Sequence, residues 1–364
     1  MENSKKIKIS IIGSRGYPFV YSGYETFVKE LSERLVLKNI EVKVYCHSSL
    51  FSQKKKLING INLIYTPSIK NKFFSQLYNS FFSFLHACFS NTDIILVVNV
   101  ANGPFGLITK LFKKKTVINV DGLEWERPKW KGIGSIYYKI AANIATKMYD
   151  VIVTDSYEMS KIYFEKFNTS SKVISYGHNK KFKTKTNILD KYQLKKDNYF
   201  LVIGRMVPDN NADFIIKQFL SSSSNKKLVI IGDVPYKDNF SLNIKSKKND
   251  RIVLTGYINN DNQLADFYKN CYGYVHGHEF GGTNPTLINA LFYNSIIISL
   301  DTVFTREMMS NLKNKYFFSK KDNSLKKFFE NNSLIRESNG KVKPEYKWNF
   351  VTEKYLDIFR SLVE

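Results

Sequence analysis

The sequence predicts an α/β protein of two doubly wound, Rossmann-like domains, and three observations carry that prediction. The chain has 364 residues, too many for one ordinary core and suited to two domains of about 150–180 residues each. Short strand-like apolar runs alternate with helix-like stretches along its whole length, the pattern of βαβ units in a parallel sheet. A polar, lysine-rich stretch from His178 to Asp197 divides the runs into two sets and reads as a linker.

In the first set, strands are expected at Ile7–Ile12, Val42–Cys46, Ile61–Tyr65, Ile94–Val98, Thr116–Val120, Val151–Thr154 and Lys172–Ser175. The second set comprises Tyr199–Ile203, Lys227–Ile231, Arg251–Thr255, Gly273–His276 and Ser295–Ser299. The division expected is a first domain over 1–178, a second over 179–345, and a closing segment over 346–364. In that segment Trp348, Val351, Tyr355, Ile358, Phe359 and Leu362 share one stripe, so an amphipathic helix packs back on the body. Two open sheets of this kind leave a cleft facing their carboxyl ends.

Composition narrows the class. Apolar residues make up 43%, enough to exclude global disorder. No apolar run approaches the roughly 18–20 residues of a spanning helix. The start, Met1 to Lys6 followed by a strand, does not read as a signal peptide. Three scattered cysteines, Cys46, Cys88 and Cys271, form neither a disulfide framework nor a metal-spaced pair, which fits a reducing cytoplasm. The net charge of +23 favours anionic partners. Only eight of the basic residues are Arg, and no nucleic-acid-binding motif is present, so nucleic acid is not the expected partner.

Three segments carry chemistry. The first strand runs into Gly13-Ser-Arg-Gly-Tyr-Pro, and a helix opens near Gly23. Loop N–H groups and a positive helix end form a site for a phosphate, or a plain turn. The glycines at 13, 16 and 23 do not match a dinucleotide fingerprint. The second segment, His276-Gly-His-Glu-Phe-Gly-Gly-Thr-Asn-Pro, follows a strand and precedes a helix entered through Thr283, Asn284 and Pro285. There Gly281 and Gly282 let backbone approach a ligand, and His276 and His278 read as hydrogen-bonding groups rather than metal ligands. In the third, Gly204 ends a buried strand, so Arg205 emerges at the carboxyl edge where a guanidinium can pair with phosphate oxygens.

Together, Ser22-Gly23-Tyr24-Glu25, Val120-Asp-Gly-Leu-Glu-Trp-Glu-Arg, Gly204-Arg-Met-Val-Pro-Asp-Asn-Asn and the 276–285 string resemble glycosyltransferase family 4, of GT-B fold. The strings are similar to those of its rhamnosyltransferase-like branch in bacterial capsule and O-antigen synthesis, and the resemblance covers nearly the whole chain. It implies sugar transfer from a nucleotide diphosphate donor with retention, dTDP-rhamnose being the best guess, to a lipid-linked oligosaccharide. It makes Asp121 and Arg205 the catalytic pair, Arg205 neutralising the leaving diphosphate. It assigns the donor to Ser22, Gly23, Gly204, Arg205, Asn210, His278, Glu279, Gly281, Gly282, Thr283, Asn284 and Asn289. Arg15, Tyr24, Glu25, Glu124 and Trp125 fall on the acceptor side. Where many members have a ribose-gripping glutamate this chain has Asn289, where many have a diphosphate lysine it has Asn210, and Ser22 replaces a glycine.

No Asp-x-Asp triplet occurs, so neither a metal nor any cofactor beyond the donor sugar is implied. A nucleotide-sugar 2-epimerase on the same fold, or a weakened sugar- or nucleotide-binding protein, are the alternatives. Finally, residues 70–90 hold six phenylalanines. Phe74, Leu77, Phe81, Phe84, Leu85 and Cys88 would share one helical face, widened by Phe73, Phe82 and Phe89. That face is either core, or an interfacial surface at the inner membrane helped by Lys54–Lys56 and Lys113–Lys115.

Overall fold

The computed structural model describes residues 6–18, 23–69, 75–130, 132–178, 186–234, 239–247, 249–336 and 342–364. The chain divides into two units. The first comprises 1–126, 130–177 and 344–364, and the second comprises 127–129 and 178–343. The closing segment thus belongs to the first unit, and three residues after Glu126 belong to the second.

The first unit runs β1 (Lys8–Ile12), α1 (Gly23–Leu37), β2 (Glu41–His47), β3 (Leu57–Ile58), β4 (Ile61–Thr66), α2 (Ser75–Phe89), β5 (Ile94–Val98) and α3 (Gly106–Leu111). It continues through β6 (Lys115–Val120), α4 (Ile133–Met148), β7 (Val151–Thr154), α5 (Tyr157–Phe167) and β8 (Lys172–Val173). The sheet order is β3-β4-β2-β1-β5-β6-β7-β8, parallel except for the β3–β4 pair. Parallel strands are covered on both faces, so β5 is apolar and buried throughout and β1 is buried from Ile9 to Ile12. Right-handed crossovers through α2, α3, α4 and α5 all advance the same way across this sheet, which places those helices on one face and α1 on the other.

The second unit holds α6 (Ile188–Lys191), β9 (Tyr199–Ile203), α7 (Ala212–Leu220), β10 (Lys227–Ile231), α8 (Asn239–Ser246), β11 (Ile252–Gly256) and α9 (Asp261–Asn270). It ends with β12 (Gly273–His276), α10 (Pro285–Phe292), β13 (Ile297–Leu300), α11 (Val303–Met308), β14 (Tyr316–Phe318) and α12 (Ser324–Glu330). Its sheet, β11-β10-β9-β12-β13-β14, is parallel throughout. Phe200, Ile215, Phe219, Ile298 and Phe329 lie in the core between the sheet and its helices.

Back in the first unit, α13 (Trp348–Val363) packs on α1. Phe27 meets Tyr355 at 5.4 Å and Trp348 at 6.2 Å between ring centroids. Close contact is built in, since a Cβ on Gly177 would come within 2.5 Å of the Trp348 ring.

The phenylalanine-rich helix departs from the face expected of it. Phe84 and Cys88 are buried, but so are Asn79, Ser80, Ser83 and Ala87, while Tyr78, Phe81 and Phe89 are exposed. A hydroxyl and amide network explains the polar inner face. Asn79 Nδ2 donates to Thr66 Oγ1 at 2.8 Å, and the Ser83 and Thr66 hydroxyls bond at 2.8 Å. Buried polar groups so paired cost little, which frees the aromatic rings for the outer side. Phe73 and Phe74 lie outside the described residues. No described helix is long and apolar enough to cross a membrane.

Candidate functional site

Doubly wound sheets bind ligands beyond the carboxyl ends of their strands, where the strand order reverses. In the second unit that point lies between β9 and β12. Gly204 and Arg205 follow β9, and the 277–284 loop follows β12. The Arg205 side chain is half-buried and has no hydrogen-bond or ion-pair partner among the described residues. A buried or half-buried guanidinium normally finds a partner, so an uncommitted one at a sheet's ligand edge is suited to an anion.

The two loops are cross-braced. Asn210 Nδ2 donates to the Arg205 carbonyl at 2.8 Å, which turns Oδ1 toward His278, whose Nδ1–H donates to it at 2.7 Å. Asn211 Nδ2 donates to the Gly277 carbonyl at 2.8 Å. Gly277 is required here, because a Cβ would lie 2.5 Å from the Asn210 carbonyl oxygen. Glu279 accepts from Lys320 Nζ at 2.7 Å and Asn211 Nδ2 at 3.3 Å. Its charge is therefore answered by Lys320, which follows β14.

A relay fixes the other histidine. Thr286 Oγ1 donates to Asn284 Oδ1 at 2.7 Å, and the Tyr274 hydroxyl donates to Thr286 Oγ1 at 2.8 Å. The Tyr274 oxygen is left to accept from His276 Nδ1–H at 3.0 Å. His276 Nε2 is buried without a partner among the described residues. Burial, with a smaller contribution from His278, holds the His276 pKa down at about 3. Asn284 also caps α10, accepting from Thr286 N–H at 2.9 Å. Gly281 has φ +143°, Gly282 and Thr283 are covered, and Asn289 is half-buried on α10, where the Tyr268 hydroxyl donates to the Thr286 carbonyl at 3.0 Å.

Arg127 completes this region and was not singled out from the sequence. Its Nη2 donates to the Phe280 carbonyl at 3.1 Å, and Nη1 stands 3.6 Å from the Asp209 carboxylate. Both side chains are buried. His278 is pushed down to about 4, first by burial and then by the Arg127 charge, with a smaller push from Arg205. Arg127 was visible in the Glu-Trp-Glu-Arg string, but nothing in the sequence pairs it with a carboxylate 82 positions away.

In the first unit, the loop after β1 holds its own anion. Glu25, buried in the first turn of α1, accepts from Arg15 N–H at 3.1 Å and lies 3.8 Å from the Arg15 guanidinium. Tyr24 is half-buried beside it, and Ser22 lies outside the described residues. Gly13 is demanded by packing, with φ +107° and a Cβ that would sit 2.1 Å from the Val98 carbonyl. Gly23 is different, as a Cβ there would meet nothing within 4 Å.

Asp121 follows β6 and accepts from the Tyr176 hydroxyl at 2.6 Å. Burial and the Asp121 charge raise the Tyr176 pKa well above its ordinary value, so that hydroxyl is a fixed donor. Beside it, Asn119 Nδ2 donates to the Tyr355 hydroxyl of α13 at 2.7 Å. Glu124 is buried and accepts from Trp130 Nε1 at 2.7 Å. Trp125, expected to line an acceptor surface, is 6% exposed and packs against Tyr163 and Phe167. It shapes this region through packing, because its indole has no free face to offer.

Residues 184–333 match the family model described as Glycosyl transferases group 1. Residues 6–64 and 90–179 match a model described as Domain of unknown function (DUF1972). A search of curated protein sequences finds no match. Among solved structures, sucrose-phosphate synthase from Thermosynechococcus elongatus is similar at a TM-score of 0.81 and 14% identity, with 98% of this chain and 99% of that one covered. Anabaena HepE in complex with UDP-glucose gives 0.74 at 11% identity, over 98% and 100% of the two chains. WaaG, a glycosyltransferase involved in lipopolysaccharide biosynthesis, gives 0.71 at 12% identity, over 97% and 99%. The chain thus carries a glycosyl transferases group 1 domain in its second unit and has the fold of GT-B glycosyltransferases.

Proposed function

We propose that the protein is a retaining glycosyltransferase moving a sugar from a nucleoside diphosphate donor, with dTDP-rhamnose the first donor to test, to a lipid-linked oligosaccharide in surface polysaccharide synthesis. The observation that carries this reading is the uncommitted Arg205 guanidinium beside the capped, glycine-containing loop that opens α10. A helix N-terminus and a guanidinium both favour a diphosphate and stabilise the charge that develops as it leaves. HepE's complex with UDP-glucose supports a nucleotide-sugar partner.

In the proposed step, the bond from the anomeric carbon to the acceptor oxygen forms on the face from which the phosphate oxygen departs. That phosphate oxygen takes the acceptor's proton. Arg205 compensates the growing negative charge, and Asp121, oriented by Tyr176, is the carboxylate that serves the reacting sugar. No cofactor or metal enters. A lipid-linked acceptor puts the work at the inner face of the cytoplasmic membrane.

The test is a transfer assay with dTDP- and UDP-sugars and lipid-extracted acceptors, reading nucleoside diphosphate release and the anomeric configuration of the product by NMR. Release with retention, unchanged by a chelator, is expected. Inversion, or a covalent sugar–enzyme adduct in the mass spectrum, would rule out the front-face step, and donor binding without turnover on any acceptor would favour a binding protein.

A further inference from the structure

We propose that the outward face of α2, α3 and α4 is the surface by which the protein docks on an anionic lipid bilayer, an inference that rests on the lipid-linked acceptor of the reading above. The three helices form one layer of the first unit, with α3 packed on both α2 and α4. Ordinary surface helices turn polar residues outward. These do the reverse.

On α4, Ile133, Ile136 and Ile140 fall at i, i+3 and i+7 and are all exposed, Ile133 by 86%. On α3, Leu107 and Leu111 repeat at i and i+4, Leu111 being 79% exposed. On α2, Tyr78, Phe81 and Phe89 face out, and Phe89 stacks edge-on against Phe112 just beyond α3, with centroids 4.8 Å apart. Eight exposed large apolar side chains on three helices packed side by side mark an interaction surface rather than scattered exposure.

Charge decides the occupant. None of the residues of α2, α3 or α4 is Asp or Glu, although the chain holds 32 acidic residues. Their charged side chains are Lys110, Lys139 and Lys147, all exposed, with Lys113 and Lys115 following α3. Helices on the other face of the same sheet are mixed, since α1 carries Glu25, Glu30 and Glu33 with Lys29 and Arg34. Within these three helices, apolar side chains interleaved with lysines and without carboxylates suit the interface of an anionic bilayer, where rings and aliphatic groups enter the acyl boundary and lysines meet headgroups, while Glu158 and Glu165 lie on the neighbouring α5. A second copy of the chain would set lysine against lysine across a two-fold axis. Lys54, Lys55 and Lys56, expected to help, are exposed but precede β3 and belong to a different part of the unit.

The experiment is sedimentation of the full chain with vesicles of phosphatidylcholine alone and with about 30% phosphatidylglycerol. Binding to the anionic vesicles only, weakening as salt rises, is the expected result. Ile136→Glu with Ile140→Glu should weaken it roughly tenfold, and Lys139→Glu with Lys147→Glu should remove its dependence on anionic lipid. These positions are exposed, so thermal melting should not change, and nucleotide-induced thermal shifts should persist because they arise in the second unit. Equal binding to both vesicles, or wild-type binding by both variants, overturns the proposal. So does a dimer that the isoleucine variant converts to monomer without any effect on vesicles. If vesicle binding behaves as expected while no nucleotide sugar binds or turns over, the docking surface stands and the transferase reading falls.

Discussion

The loop after β1 and the loops after β9 and β12 occupy the same kind of place, a carboxyl edge where a sheet reverses order, yet their electrostatics differ. In the first unit the chain fills the position itself, with Glu25 accepting the Arg15 N–H and standing beside its guanidinium. In the second, Arg205 has no such answer among the described residues, although Glu279, Asn210 and Asn211 all lie on the neighbouring loops and are engaged elsewhere. A helix N-terminus is an opportunity for an anion, and whether it is a site depends on what the chain has already placed there.

The largest expected disturbance is at Arg127. Removing it as Arg127→Ala leaves the buried Asp209 charge without its guanidinium and frees the Phe280 carbonyl. A loss of about 3–5 kcal/mol is expected for breaking a buried pair from one side, read by urea unfolding, with Arg127→Lys recovering only part of it. Acid should act next. His276 is neutral when folded, with a pKa of about 3 against 6.5 when exposed. Protons therefore bind the unfolded chain more tightly, so stability is complete above about pH 6.5 and falls as pH drops toward 3. His276→Phe should flatten that slope in pH-dependent melting, at the cost of the bond to Tyr274.

Smaller effects separate the two edges. Glu25→Gln should cost about 1–3 kcal/mol of stability, because a charge-assisted acceptor to Arg15 becomes a neutral one in a buried place. Donor affinity should be unchanged by it in a calorimetric titration. Gly23→Ala should shift stability by no more than about 0.5 kcal/mol, since nothing crowds a Cβ there. If Gly23 nonetheless serves the donor, its alanine variant will transfer sugar more slowly while melting like the wild type.

Much of this architecture was legible in the sequence. Five of the expected strands, among them Ile94–Val98 and Gly273–His276, have the observed limits, because buried parallel strands are short apolar runs bounded by turns. β3 and β14 were not foreseen. Leu57–Ile58 is a two-residue antiparallel edge and Tyr316–Phe318 a three-residue parallel edge, both too short to show a period. The orientation of α2 was misread because its aromatics surround the helix, and only the Thr66 hydroxyl on a neighbouring strand reveals why Asn79 and Ser83 turn inward. At the site, Arg205 and Asn284 were readable from a strand end and a helix cap. Arg127 and Tyr176 were not, since each owes its place to a partner distant in sequence, Asp209 or Asp121.

The claim that the second unit's edge is an anion site built around Arg205 is tested most directly by thermal-shift measurements with nucleoside diphosphates and their sugars on the wild type and Arg205→Ala. A ligand bound only by the folded state raises apparent stability by mass action, so no acceptor is needed. The account predicts a rise with dTDP- or UDP-linked sugars that disappears in Arg205→Ala, while the variant alone melts at nearly the wild-type temperature. An equal rise in both proteins, or none with any nucleotide, would contradict it.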